Sequence, residues 1–459
     1  MANIRNRKVL VNNGRSTLDR KARKLALDSL EAALEAANPQ NFINSRVRLK
    51  GEQLTIDGRI FDLDKFNRIF VVGGGKASGG MAEALEAILE DRITNGIVST
   101  PYGSEHYRLK HVTLHLASHP LPDKAGVKGV RLMIDLVTQA NKDDLVICLI
   151  SGGGSSLMPL PRHPISLEDK KTVTKALLES GAGITEINTV RKHISDFKGG
   201  WLAKQAHPAT VVNLLISDVV GDRIDSIASG PTVPDSSTFQ DAIEVLNRYG
   251  LWKKTPQSVK HVLLGGKAGK LPETLKPDDE AFTHVHTFIV GNNSAVTLAA
   301  YRNLQKAGLN TLLLPSSLEG EAKHVGRKFA SFMQETTISE QAMPKPAGLV
   351  VGGETTVTVV GEGRGGRNQE TALSAALPIN GIKGAAIASI STDGLDGPTD
   401  AAGALADGST ILHSQELQLD AEELLAQNDS YTVFEKLGDL IFTGPTSTNV
   451  NDILVIVMM

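Results

Sequence analysis

The sequence predicts an α/β protein of two domains, and three observations predict it. Short apolar runs rich in β-branched residues alternate with segments of helical periodicity. Glycine is plentiful, at 44 residues, while aromatics make up only 4%, as expected where glycine turns join strands to helices. The length, 459 residues, exceeds what one ordinary core organises.

The N-terminal segment is basic, with Arg5, Arg7, Lys8, Arg15, Arg20, Lys21, Arg23 and Lys24 and no acid before Asp19. It reads as a solvated first helix turning Leu25, Ala26, Leu30, Ala33 and Leu34 inward, with organelle targeting as the weaker alternative. Strands are expected at 69–72, 145–150, 211–216, 288–290, 311–314, 349–351 and 386–390. Met81, Leu85, Ile88 and Leu89 mark one helix between them, and Ala295, Leu298, Ala299 and Leu304 mark another. This alternation predicts parallel sheet layers covered by helices, with the chemistry at the carboxyl ends of the strands. The stretch 231–277, rich in Gly, Pro and charge, suggests a first domain over 1–234, a helical connector over 235–283 and a second domain over 284–459. The closing "NDILVIV" suits a strand of either domain.

Composition excludes several classes. The net charge of −3 gives no reason to expect a nucleic-acid partner. No apolar run approaches the roughly 18 residues a membrane span needs. The single cysteine, Cys148, sits in the apolar run "LVICLI", which predicts a buried, inert thiol and a reducing, cytoplasmic compartment. The sequence leaves a homo-oligomer open.

Six segments carry chemistry. "IFVVGGGKASGGM" runs from an apolar strand into three glycines and Lys76, yet it matches neither a P-loop nor a dinucleotide fingerprint. "CLISGGGSSLM" repeats that logic. Together they make Gly74, Gly75, Ser151, Gly153, Gly154 and Ser155 candidates for an anion nest. "NTVRKHISDFKGG" gathers Arg191 and Lys198 for a carboxylate or phosphate, with Lys192 read as a solvated helix face and His193 as a hydrogen-bonding residue. In "LLISDVVGD", Asp218 and Asp222 follow a strand, where a carboxylate can accept a proton or meet a metal. "VGGETTVTVVGEGRGGRNQE" satisfies G-x-G-x-x-G at Gly361, Gly363 and Gly366 after the strand-like "TTVTVV". Arg364 and Arg367 nevertheless suit phosphate oxygens better than a dinucleotide loop. "STDGLDGPTDAAG" offers Asp393, Asp396 and Asp400 for Mg²⁺ or nucleotide contact.

Taken in order, "GGGKAS", "SHPLPD", "SGGGSSLMPLP", "NTVRKHISDFKGG", "ISDVVGD", "ASGPTVPD", "GGETTVTV", "GRGGRNQE", "STDGLDGPTDAAG" and "TGPTSTNVND" resemble the type II glycerate 2-kinases, whose C-terminal part is the MOFRL domain. The resemblance runs from the first helix to the last strand. It implies transfer of the ATP γ-phosphate to the 2-hydroxyl of D-glycerate, giving 2-phosphoglycerate and ADP, with a divalent metal, usually Mg²⁺. It implies a Rossmann-like N-terminal domain, a smaller α/β C-terminal domain and a cleft between them. The family's catalytic lysine falls on Lys76 and its catalytic arginine on Arg367. Asp218 or Asp222 is then expected to orient or deprotonate the hydroxyl, and Arg191 to meet the glycerate carboxylate. Glu354 and Asp393 are expected on magnesium or nucleotide, with Asn368 beside them. The rival reading is an NAD(P)H-dependent hydroxypyruvate reductase using the loop at Gly361 to Gly366.

Overall fold

The computed structural model describes residues 3–338 and 343–459. The chain forms two compact units, one spanning Phe42–Gly291 and the other combining the residues up to Asn41 with Asn292–Met459.

The first unit begins with a small antiparallel sheet of β1 (Val47–Lys50), β2 (Gln53–Ile56) and β3 (Arg59–Asp62). Its main sheet holds β4 (Arg68–Gly74), β5 (Asn95–Pro101), β6 (Val112–Ala117), β7 (Asp144–Ile150), β8 (Thr210–Ile216) and β9 (Val285–Gly291). All six are parallel, in the order β6-β5-β4-β7-β8-β9. That is the 3-2-1-4-5-6 order of a Rossmann sheet. The chain winds outward from β4 in one direction and then returns to build from β7 in the other. The loops after β4 and β7 therefore diverge at the switch point, where such sheets hold ligands. Cys148 lies in the core of β7, with burial pushing its thiol up to about 12.

The expected connector is part of this unit. Helices Phe239–Arg248 and Gln257–Lys267 bury Phe239, Leu246, Val259 and Leu263 against Leu177, Ile187 and Val190 in one apolar cluster. β9 then pairs along β8, so residues through Gly291 fold with the first sheet. The helices expected over 235–283 thus form, and they pack into the first compact unit, which extends to Gly291.

The second unit has one mixed sheet of β10 (Asn310–Leu318), β11 (Ala347–Gly353), β12 (Ala385–Ser391), β13 (Gly403–Asp407), β14 (Leu440–Ile441) and β15 (Asp452–Met458). The order is β10-β11-β15-β12-β13-β14. Only β10 and β11 are adjacent and parallel, which corrects the expectation of parallel layers throughout. The last strand inserts antiparallel between β11 and β12, so Asp452 lies opposite Gly353 on one side and Ser391 on the other.

The first long helix, Thr17–Ala36, also belongs here, closed at its start by a Ser16–Asp19 capping box. Its apolar face buries Ala26, Leu30, Ala33 and Leu34 as expected, but Arg23 is not solvated. The guanidinium is 1% exposed and bonded to Asp407 at 2.5 Å and to Asp439 at 2.7 and 2.8 Å. Breaking such a buried pair costs about 3–5 kcal/mol, which fixes the N-terminal helix to this unit.

Candidate active site

In the first unit the glycine turn after β4 locks onto the turn after β7. The Lys76 N–H donates to the Gly152 carbonyl at 2.8 Å, and the Ala77 N–H donates to Ser151 Oγ at 3.0 Å. Gly75 has φ +152°, and any Cβ there would overlap Ser151, so glycine alone lets the two turns approach this closely. Gly74 is buried at the end of β4 and takes the Ser151 N–H on its carbonyl. Ser151 is itself 1% exposed, so its hydroxyl positions the Lys76 turn instead of facing solvent.

The next residues of that turn are different. Among the described residues, no acceptor meets the N–H of Gly152 or of Gly153, while Gly154 and Ser156 close the turn by donating to Ser151 and Gly153. Gly153 is partly exposed, and a Cβ on it would lie 3.3 Å from Lys76 Cγ. The half-buried Lys76 side chain thus packs beside a turn with two open backbone donors, a cradle for an anion.

Asp218 closes the arrangement from β8. A Cβ on Gly152 would overlap its carboxylate, so the acid packs on the same turn. Desolvation raises the Asp218 carboxyl above its usual range, opposed by its own N–H and by the Lys76 ammonium. Asp222 lies four residues further along, partly exposed, at φ +53°.

Arg191 and Lys198 line a small pocket beside Ser155 and Ser156. Lys198 is 1% exposed, and its Nζ reaches the Ala228 carbonyl at 2.9 Å. Their neighbours are structural. His193 bonds Glu273 at 2.8 Å and Thr189 at 2.7 Å, as a hydrogen-bonding histidine should. Lys192 departs from expectation: it is 4% exposed and pairs with Asp235 at 3.3 Å, because its helix is covered on that side.

In the second unit Arg367 is held by two acids. Its Nε and Nη2 donate to both oxygens of Asp452 at 2.6 and 2.9 Å, and Nη1 approaches Glu354 at 3.1 Å. Burial works against the guanidinium charge, but the two carboxylates raise its pKa further. Asp452 is 1% exposed and Glu354 follows β11, so the acids converge where β11 and β12 end. Asp393, after β12, caps its own loop by accepting from Ser391 Oγ at 2.8 Å and the Leu395 N–H at 3.1 Å. Among the described residues, no group of three His, Cys, Asp or Glu side chains is arranged to hold a metal.

Asn368 is not presented to a ligand. It is 1% exposed, and its side chain is spent on Asp396 at 3.2 Å and Ser389 at 2.6 Å. Asp396 in turn accepts the Asn368 and Gln369 N–H groups, capping the helix Arg367–Ala376. Burial pushes this acid up to about 6 despite those donors.

The G-x-G-x-x-G loop is plugged. No strand precedes it; Thr356 forms only an isolated bridge with Glu321. Asn428 Oδ1 takes the Val360 and Gly361 N–H groups at 2.8 and 3.0 Å, and Gln427 takes that of Gly363. With Asp396 on the helix N-terminus as well, the donors a pyrophosphate would use are already engaged. Arg364 stacks on the Tyr431 ring at 4.0 Å and approaches Asp400 at 3.5 Å.

Sequence reasoning missed two residues. Lys170 lines the pocket with Arg191 and Lys198, and its signal was present: it shares the helical stripe of Val173 and Leu177. Asp452 was read only as the start of a strand.

Two families match the chain: "Domain of unknown function (DUF4147)" over residues 25–264 and the MOFRL family over 347–452. A glycerate 2-kinase of Pyrococcus horikoshii is 42% identical, over 95% of this chain and 97% of its own length. An Agrobacterium vitis protein described as a putative hydroxypyruvate reductase is also 42% identical, over 85% of this chain and 87% of its own. The crystal structure of a glycerate kinase from Thermotoga maritima superposes with a TM-score of 0.83 at 42% identity, covering 95% of this chain and 99% of that one. With the motif series, the Rossmann order and these relatives in agreement, the chain belongs to the MOFRL-domain glycerate 2-kinase family.

Proposed function

We propose that the protein is an ATP-dependent glycerate 2-kinase. It moves the γ-phosphoryl group of ATP to the 2-hydroxyl of D-glycerate and releases 2-phosphoglycerate and ADP. The supporting observation is the Lys76 side chain packed against Gly153, on a turn where the N–H groups of Gly152 and Gly153 meet no acceptor among the described residues and where Asp218 also packs. Phosphoryl transfer asks a protein chiefly for positioning and charge neutralisation, and this constellation offers both beside an acid.

In this reading the 2-hydroxyl loses its proton to Asp218 as its oxygen bonds to phosphorus and the bond to ADP breaks. The raised carboxyl of Asp218 makes it a better base than an ordinary aspartate. Lys76 and the two N–H groups neutralise the phosphoryl oxygens during transfer. Arg191 meets the acceptor's carboxylate. Arg367 carries charge to the nucleotide's phosphates, with buried Asp452 fixing its plane and the more exposed Glu354 giving way. Mg²⁺ would be part of the nucleotide substrate, and Glu354 and Asp393 would be the side chains that meet it beside the phosphates. Asp222 orients the loop that carries Asp218.

A coupled assay with D-glycerate, MgATP and product identification by NMR tests this. Formation of 2-phosphoglycerate is expected, and Lys76→Ala should cut kcat by roughly 100- to 1,000-fold without unfolding the chain. Oxidation of NADH by hydroxypyruvate with ATP untouched would overturn the kinase reading.

A further inference from the structure

Beside the 151–156 turn lies a pocket of about 140 Å³. Its walls include Leu121, Ser155 and Thr174 and five basic residues, of which Lys171 and Lys175 pair with Glu168 and Glu179 at its rim, leaving Lys170, Arg191 and Lys198. Lys170 is 5% and Lys198 1% exposed. Among the described residues their Nζ atoms reach only the carbonyls of Leu160, at 3.4 Å, and Ala228, at 2.9 Å. Among the described residues, none of the three has a carboxylate within ion-pair distance. Asp196, the acid whose field reaches Lys170, is already bonded to Arg162 at 2.9 Å.

Burying unpaired cations is costly, and folding does not assemble three of them for packing alone. The cost is partly relieved by proton loss. Desolvation, then the charge of Arg191, lowers Lys170 to about 7, and desolvation with Lys170 and Arg191 lowers Lys198 well below the ordinary range. A site of this kind is completed by an anion. Its size decides which: pockets for larger ligands run to roughly 300–1,000 Å³, so this one holds a few heavy atoms and no nucleotide. Ser155 joins it to the turn under Lys76.

We propose that this pocket is the receptor for the carboxylate of the acceptor acid, and that Lys170, with Lys198 and Arg191, selects a small hydroxy acid over a neutral polyol of the same size. This rests on the kinase reading and adds to it the group that sets acceptor specificity. Arg191 alone, partly exposed, would not discriminate so sharply; a desolvated lysine left without its anion rejects a neutral substitute.

The test measures D-glycerate and glycerol as acceptors with MgATP, together with calorimetric binding of D-glycerate in the absence of nucleotide. Lys170→Met should raise the KM and Kd for D-glycerate by roughly 10- to 100-fold, leave the KM for ATP unchanged, and lower the preference for glycerate over glycerol by a similar factor. Lys170→Arg should recover part of the loss. Thr174→Asp, at a partly exposed position on the same wall, places a carboxylate in the pocket and should weaken glycerate binding even if Lys170→Met does not fold. Unchanged glycerate affinity in Lys170→Met or in Thr174→Asp would overturn the proposal. If the wild-type chain binds D-glycerate but phosphorylates nothing, the kinase reading fails while the binding data still decide the pocket.

Discussion

Two glycine turns in this molecule read alike in sequence and differ in structure. The turn at 151–156 follows a buried strand, keeps two N–H groups that meet no acceptor among the described residues and packs against Lys76. The turn at 361–366 matches a dinucleotide fingerprint residue for residue, yet Gln427 and Asn428 fill it. Glycine spacing reports that a backbone comes close to something. Whether that something is a ligand or another part of the chain depends on residues far away in sequence.

The largest effect that separates the two turns is on catalysis. Gly152→Ala puts a methyl group into the Asp218 carboxylate and should cost roughly 100-fold in kcat through misplacement of that acid. Gly361→Ala meets the Gln427 carbonyl instead and should lower stability by about 1–3 kcal/mol with kcat little changed. Turnover and thermal unfolding of the pair measure this. Equal losses of turnover in both variants would erase the distinction.

Next in size is the plug itself. Asn428 accepts from Val360 and Gly361 and donates to Glu370 at 2.8 Å. Asn428→Ala should destabilise the chain by about 2–3 kcal/mol, since buried partners are left unsatisfied. Its KM for ATP should stay near that of the wild type. A nucleotide defect without a stability defect would make this loop a nucleotide contact after all.

This contrast also marks what the sequence made legible. All seven expected strands form, because buried strands announce themselves as short apolar runs bounded by glycine. Lys76, Ser151, Gly153, Ser155 and Asp218 do gather at one end of one sheet, which strand–turn order alone could suggest. The segment 355–360 misled, since β-branched residues there cover a loop, with Val359 72% exposed. The antiparallel insertion of β15 and the pairing of Asp452 with Arg367 join residues 85 apart, and no local pattern encodes that. Lys170 was legible in position only: its place on the stripe of Val173 and Leu177 marks it as buried, but nothing local distinguishes its role from that of its neighbours Lys171 and Lys175.

A smaller effect belongs to pH. The folded-state pKa of Lys170, about 7, lies below the roughly 10.4 of an exposed lysine. The unfolded chain therefore binds the extra proton between those values, and stability contributed at this site rises as pH climbs from about 7 to 10. Lys170→Met should flatten that climb in denaturant titrations of the unliganded protein. An unchanged slope would place the titration elsewhere.

The smallest effect tests the open turn at its edge, through proton accounting. Ser229 Oγ donates to Asn188 Oδ1 at 2.9 Å, and it lies 3.0 Å from Ser155 Oγ. A hydroxyl has one proton, so the Ser229 proton is used, and Ser155 must be the donor in the second contact. Ser155 then has only lone pairs left to face the pocket, and lone pairs repel an anion. Its backbone N–H, which alanine retains, is the group an anion would meet. Ser155→Ala should therefore lose about 1 kcal/mol of stability and change the KM for D-glycerate by less than about threefold, well below the effect at Lys170. A tenfold rise in that KM would mean the hydroxyl turns toward the acceptor on binding, leaving Ser229 to bond elsewhere, and the anion would then be held by side-chain as well as backbone donors.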